Sequence, residues 1–258
     1  MTNKLNQEIV LIVDDNAENH EIIGTFLEDL QITCDHAFDC IEAVTLCATK
    51  GISHYSLILM DINLPHIDGI ETTKKLRNTG VTSPIIAVTA ISKSDSRKSK
   101  CIATFDSILH KPFCFQDLHH AISPYIKGTQ PISQTNTADN FTVVSDSNIC
   151  DFAQGISNMG GSERLFKKHA KNFVSNNFDL CARLSDMISD NQYQQAAFLC
   201  HSVKGLSGML GFTSLYNNIV NLEELMHTAC GGTVHTKDIS AILTLLDSDI
   251  RNICQIQF

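Results

Sequence analysis

Five residues in the first half of the chain can act together on a charged group: Asp14, Asp15, Asp61, Thr89 and Lys111. Each follows a short apolar run. Ile9–Val13 ends in Asp14-Asp15, Leu57–Met60 ends in Asp61, Ile85–Val88 ends in Thr89, and Ile108–Leu109 leads into His110-Lys111-Pro112. Three carboxylates brought together repel one another and raise each other's pKa unless a cation sits among them. A hard divalent ion such as Mg2+ relieves this with carboxylate oxygens, a backbone carbonyl and water. A carboxylate held beside such an ion can attack phosphorus and become an aspartyl phosphate. Lys111 and Thr89 can then supply donors to the phosphoryl oxygens.

A second candidate is His201, in the segment Ala197–Gly211. At about 100° per residue on a helix, Leu199, Val203, Leu206 and Leu210 fall within about 40° of the point opposite His201. Ala197, Lys204, Gly205 and Gly208 share its face. The pattern predicts an exposed histidine with small neighbours that admit a docking partner, and Lys204 one turn away to neutralise a phosphoryl oxygen. Gly205 and Gly208 each cost about 1 kcal/mol relative to Ala inside a helix, so their presence asks for a packing or functional reason.

The elements that must position these residues divide the chain in two. In the first half, buried strand candidates alternate with amphipathic stretches such as Ile22, Ile23, Phe26, Leu27 and Leu30, and Ile32–Cys34 is a weaker strand candidate. That alternation predicts βαβ units and a doubly wound α/β domain with a parallel sheet. Ligands of such sheets bind beyond the carboxyl ends of the strands, where the five polar residues fall. Residues 128–144 are rich in Thr, Gln, Asn and Ser without periodicity, which predicts a flexible linker. From residue 145 onward the apolar spacing is helical. Phe166, Ala170, Phe173, Leu180, Leu184 and Met187 form one series, Leu215, Ile219, Leu222 and Met226 a second, and Ile239, Leu243, Leu246 and Ile250 a third. An all-α up-down bundle over residues 145–258 follows.

The stretches IVLIVDDN, LILMDINLPHIDGIE, PIIAVTA and LHKPF occur in the order and spacing of a response-regulator receiver domain; residues 8–127 resemble that family, which sets the expected domain at residues 1–127. The resemblance implies a flavodoxin-like fold of five parallel strands, with Asp61 as phosphoacceptor. It also implies Asp15 and Asp61 as Mg2+ ligands, Asn63 as a backbone-carbonyl ligand and Asp14 as a helper through water. Thr89 and Lys111 would hold the phosphoryl oxygens. Ile108 stands where the family usually has Tyr or Phe, and Thr104 where Gly is usual. Ile108 is too short to report an active state as a swinging ring does. The segment His201-Ser202-Val203-Lys204-Gly205 resembles the H-x-x-K-G mark of histidine phosphotransfer (HPt) domains, supported by MGGSERLFKKHAKNF upstream and LYNNIVNLEELM downstream. That resemblance implies a four-helix-bundle-like fold, His201 as the phosphohistidine, and Lys204 and Gly205 as residues shaping its site. Together the two imply a phosphorelay intermediate of a two-component system. Its partners would be a sensor histidine kinase, possibly a hybrid one, and downstream receiver domains.

Composition narrows the field. The 258 residues carry a net charge of −9, spread over both halves: 11 Lys/Arg against 16 Asp/Glu in residues 1–127, and 8 against 12 in the remainder. An acidic chain without a basic cluster argues against nucleic-acid binding. The ten cysteines include no C-x-x-C pair, and scattered thiols fit a reducing compartment. Met1–Glu8 lacks the apolar core of a secretory leader, and no apolar run reaches the roughly 18 residues that span a bilayer. The expectation is a cytoplasmic protein without membrane insertion. No Gly-rich nucleotide motif marks an ATP-dependent kinase. Asp61-Ile62-Asn63 lacks the second acid of a haloacid-dehalogenase-type phosphatase. The reading is therefore a signalling protein rather than an enzyme. The rival is a phosphorylation-switched adaptor or phosphate sink that regulates a kinase without onward relay.

Overall fold

The computed structural model describes residues 8–89, 104–127, 149–232, 236–256 and 258. It forms two compact units, one within Met1–Gln134 and one within Thr135–Phe258. The predicted linker at 128–144 lies outside the described residues.

The first unit is built on β1 (Ile9–Val13), β2 (Thr33–Ala37), β3 (Leu57–Asp61), β4 (Ile85–Thr89) and β5 (Ser107–His110). All pairs are parallel, in the order β2-β1-β3-β4-β5. Strands covered by helices on both faces must be apolar throughout, which is why β1, β3 and β4 read as unbroken Ile/Leu/Val runs. The helices α1 (Ala17–Asp29), α2 (Cys40–Lys50), α3 (Gly69–Asn78) and α4 (Phe115–Ile122) cover the sheet. Leu11, Val13, Ile58, Met60 and Ile85 of the strands pack with Ala43, Cys47 and Leu76 of α2 and α3. Phe26 of α1 meets Phe115 of α4 edge to face, centroids 5.4 Å apart. Side-chain caps start the helices: Asn16 accepts from Glu18 N at 2.8 Å, Asp39 from Glu42 N at 2.8 Å, and Asp68 from Glu71 N at 2.8 Å. Such caps satisfy amides that have no partner within the helix.

The expected strand Ile32–Cys34 is displaced to Thr33–Ala37. As an edge strand, β2 leaves Thr33 and His36 exposed, so it lacks the continuous apolar run that marked the central strands.

The second unit is entirely helical among the described residues: α5 (Phe152–Asn158), α6 (Glu163–Asn177), α7 (Leu180–Ser189), α8 (Tyr193–Met209), α9 (Thr213–Cys230) and α10 (Thr236–Gln255). Helix α8 packs on α7 and α9, and α10 packs on α6, α7 and α9. The predicted apolar series line the interior, with Phe166, Phe173, Leu184, Leu215, Ile219, Leu222, Met226 and Leu246 at 2% exposure or less. Each such side chain contributes roughly 1.5–3 kcal/mol by leaving water. Met187 and Leu243 are only half-buried. The α8–α9 turn passes through Gly211 at φ +71, where a Cβ would run into the Asp151 carbonyl oxygen.

Gly69, the first residue of α3, lies against the end of β3: a Cβ there would overlap the Asp61 carbonyl oxygen and come within 2.9 Å of Ile62 Cα. Both obstacles are backbone and cannot turn aside. Gly69→Ala is therefore expected to destabilise the first unit by about 1–3 kcal/mol. The measurement is urea unfolding followed by far-UV circular dichroism, with a lower midpoint at an unchanged slope.

Candidate functional site

The sheet order reverses between β1 and β3, and there the strand ends deliver Asp14, Asp15 and Asp61 to one crevice. One carboxylate oxygen from each lies within 4.8 Å of the others. Lys111, just past β5, closes the group. Its Nζ donates to Asp14 Oδ2 at 2.8 Å and to Asp61 Oδ2 at 2.6 Å. Its backbone amide donates to the Thr89 carbonyl at 2.7 Å, so the residue is set by an extension of the strand pairing. Thr89 is fully buried at the end of β4, beside this extension. Asn63 donates its backbone N–H to Asp61 Oδ1 at 2.9 Å.

Burial sets the electrostatics. It raises the Asp14 carboxyl against the opposing pull of Lys111, with the Asp61 charge adding to the rise. Burial, then the charges of Asp14 and Asp61, push Asp15 up to about 7. Burial works against the charge on Lys111, but Asp14 and Asp61 overrule it and hold the ammonium above its ordinary range. One lysine does not satisfy three carboxylates. The donor set is all oxygen and acidic, which suits a hard divalent cation.

Three residues that support Asp14 were not singled out in the sequence. Asn19 Nδ2 donates to Oδ1 at 2.9 Å and to Oδ2 at 3.0 Å, and Asn16 N donates to Oδ1 at 2.9 Å. His20 Nε2 lies 2.7 Å from the Asp14 carbonyl oxygen, and burial lowers this imidazole to about 4. The available signal was polar side chains, Asn19 and His20, one turn before the apolar stripe of α1. Ile108 is half-buried against Ile62, Ile70 and Ala87, beside Phe105.

In the second unit His201 sits on α8, its side chain 14% exposed, with Nδ1 2.7 Å from Glu223 Oε1 of α9. Lys204 Nζ donates to the other oxygen of Glu223 at 2.5 Å. Burial alone would raise the Glu223 carboxyl. The His201 hydrogen bond and charge, with the charge and hydrogen bond of Lys204, hold it instead at about 2. The expected docking face needs correction. Ala197 is 5% exposed, Gly205 is buried, and only Gly208 is half-exposed. Lys204 is 9% exposed and is directed to Glu223 rather than to solvent. The wheel assumed one buried side, whereas α8 is enclosed by neighbours on more than one, leaving His201 at the margin of the buried arc. Glu223 itself was legible in principle: it interrupts the Ile219, Leu222, Met226 stripe with an acid at 8% exposure.

Residues 10–123 match the family model of the response regulator receiver domain. The first unit is therefore a receiver domain, of the kind found in two-component signal transduction. Similar proteins include the osmosensing histidine protein kinase SLN1 of Saccharomyces cerevisiae, 37% identical over 112 residues, which are 40% of this chain and 9% of that one. The sensor histidine kinase RcsC of Escherichia coli is 30% identical over 118 residues, 45% of this chain and 12% of that one. The chain thus spans about an eighth of the length of RcsC and less of SLN1. Among solved structures, the receiver domain of the Pseudomonas aeruginosa sensor histidine kinase PA1611, with magnesium coordinated in its active-site cleft, is 30% identical. It covers 46% of this chain and 96% of that one, at a TM-score of 0.42. No helix among the described residues is long and apolar enough to cross a membrane.

Glu223 gives a pH test of the second site. With its folded pKa near 2 against an ordinary 4.5, its contribution is complete above about 4.5 and is lost as pH falls through 2. The amount is on the order of 3 kcal/mol. Replacing it by Gln is expected to lower the stability of the helical unit at pH 7 and to shrink the wild-type-to-variant gap between pH 5 and 2. Thermal melts of both proteins across that range measure the gap.

Proposed function

We propose that the chain is a phosphorelay protein in which Asp61 accepts a phosphoryl group and His201 carries one to or from receiver-domain partners. The observation that carries the first half is Lys111 Nζ bridging Asp14 and Asp61 beside a third carboxylate. Asp15, Asp61 and the Asn63 backbone carbonyl are the residues that would hold Mg2+, with Asp14 acting through water. When bound, the ion supplies the positive charge that the carboxylates lack and a Lewis acid for phosphoryl oxygen. Asp61 attacks with a carboxylate oxygen. A new O–P bond forms, and the bond from phosphorus to the donor's nitrogen or oxygen breaks. Lys111 passes from pairing two carboxylates to pairing the phosphoryl group, and the Thr89 hydroxyl donates to another of its oxygens.

For His201 the support is the hydrogen bond with Glu223, Nδ1 to Oε1 at 2.7 Å. An ionised carboxylate only accepts, so the neutral imidazole carries its proton on Nδ1, and its lone pair lies on Nε2. Nε2 is thus the attacking atom. Lys204 holds the carboxylate that orients the ring and keeps it ionised. This support role replaces direct contact between Lys204 and phosphate. The chain itself supplies no ATP chemistry. Phosphoryl groups enter from a sensor histidine kinase and leave to a receiver domain, and the product of the reaction is the signal. The scheme places the protein in the cytoplasm with its partners.

Labelling tests this reading. With a purified phosphodonor kinase and radiolabelled ATP, wild type should be labelled and should pass label to a downstream receiver. Asp61→Asn should take no label from acetyl phosphate at its receiver site. His201→Gln should still be labelled at Asp61 and fail to pass it on. Normal relay by His201→Gln would overturn the role given to His201, and a wild type that takes label at Asp61 but passes none on would leave the adaptor reading in its place.

A further inference from the structure

At the edge of the sheet, β2 carries Cys34 and His36 two residues apart, so both side chains stand on one face. An inward face of β2 would ordinarily be apolar. Here Cys34 is half-buried and His36 exposed, and they line a cavity of about 600 Å3 with Glu21, Gly24, Glu28 and Phe38. Cys34 Sγ lies 3.7 Å from His36 Nε2. A tetrahedral Zn2+ with Zn–S of about 2.3 Å and Zn–N of about 2.05 Å places its sulfur and nitrogen about 3.6 Å apart. The two donors already stand at that separation.

The surroundings fix which atom of His36 is the donor. His20 is 4% exposed, and its Nε2 faces the Asp14 carbonyl at 2.7 Å, an oxygen that only accepts. His20 Nε2 therefore bears the proton, and the neutral ring accepts at Nδ1. That Nδ1 is 2.9 Å from His36 Nδ1, which must then be the donor. The lone pair of neutral His36 is left on Nε2, on the side of the Cys34 sulfur. Metal-binding histidines are held in this manner, the far nitrogen donating to a fixed acceptor that sets tautomer and ring orientation. Gly24 of α1 lies over the pair, where a Cβ would stand in ordinary contact with Cys34 Sγ at 3.7 Å and His36 Cε1 at 3.8 Å.

We propose that Cys34 and His36 form a binding site for a borderline-soft divalent ion of the zinc class, with His20 as positioning residue. Cys34 and His36 are the two protein ligands in place; Glu28, which lines the same cavity, would have to turn inward to add a third, with water completing the shell. Binding converts the Cys34 thiol to thiolate and releases one proton to solvent. The site is separate from the carboxylate crevice in donor chemistry: sulfur and imidazole select against Mg2+ as the carboxylates select for it.

Cobalt is the probe, because Co2+ takes the same geometry and a thiolate ligand gives it a charge-transfer absorption. The full chain, stripped with chelator and kept in excess Mg2+ to fill the carboxylate crevice, is titrated with Co2+. The expected result is one saturable equivalent with a thiolate band, displaced by Zn2+. Cys34→Ser should abolish the band, and His36→Ala should weaken binding by about tenfold or more. Persistence of the band in Cys34→Ser, or unchanged affinity in His36→Ala, overturns the site. A second measurement needs no variant. Zn2+ should slow alkylation of Cys34, mapped by mass spectrometry, while exposed Cys230 reacts at an unchanged rate. Equal rates at Cys34 with and without Zn2+ likewise overturn it.

Discussion

Three carboxylates and one ammonium are packed at the end of the sheet, and most of the first unit serves to hold them there. Fully ionised, the group carries a formal charge of −2, and burying that charge without a partner is costly. The chain spreads the cost over fixed donors. Lys111 takes Asp14 and Asp61, Asn19 and the Asn16 amide take Asp14, and the Asn63 amide takes Asp61. The residual deficit falls on Asp15, whose carboxyl is pushed up to about 7. A site poised in this way is incomplete in charge and is completed by a cation. The parallel sheet matters because only strand ends can bring four distant segments of chain to one point with their backbones already paired.

The helical unit reverses the arrangement. There one carboxylate, Glu223, lies between two cationic or cation-forming groups, His201 and Lys204. In the receiver the acids need cations, and in the bundle the acid is the fixed element that orders them. Both sites use a lysine whose side chain is 11% exposed or less to hold a carboxylate in place. In the proposed relay the reacting group differs between them, an oxygen of Asp61 in one and a nitrogen of His201 in the other.

Legibility in the sequence followed burial. Central strands β1, β3 and β4 were plain because burial on both faces removes polar residues from them, and the chemistry fell at their ends. The edge strand β2 was misplaced because exposed Thr33 and His36 and half-buried Asp35 blur the apolar signal. On α8 the helical wheel put His201 and Lys204 on one face, and both reach Glu223, but it misjudged their surroundings. A wheel shows one stripe and cannot show that α7 and α9 both close on the helix. Contacts across elements were not legible: nothing in the spacing of 22 residues ties His201 to Glu223, and nothing ties His20 to His36. Those pairs exist only after the helices and strands have packed.

The carboxyl end of α8 is gripped by the first helix of its unit. Asn158 donates to the Met209 carbonyl at 2.9 Å, and Asp151 N donates to the Gly211 carbonyl at 2.8 Å. Gly155 lies so close that a Cβ would come within 2.6 Å of the Leu210 carbonyl oxygen. These contacts leave no slack between the segment starting at Cys150 and the helix that bears His201. Met209 is eight residues beyond that histidine, about 12 Å along the axis. The helix Phe152–Asn158 thus ties the base of the histidine's helix to α6, on which it also packs, so the position of His201 along its axis is set from outside its own helix.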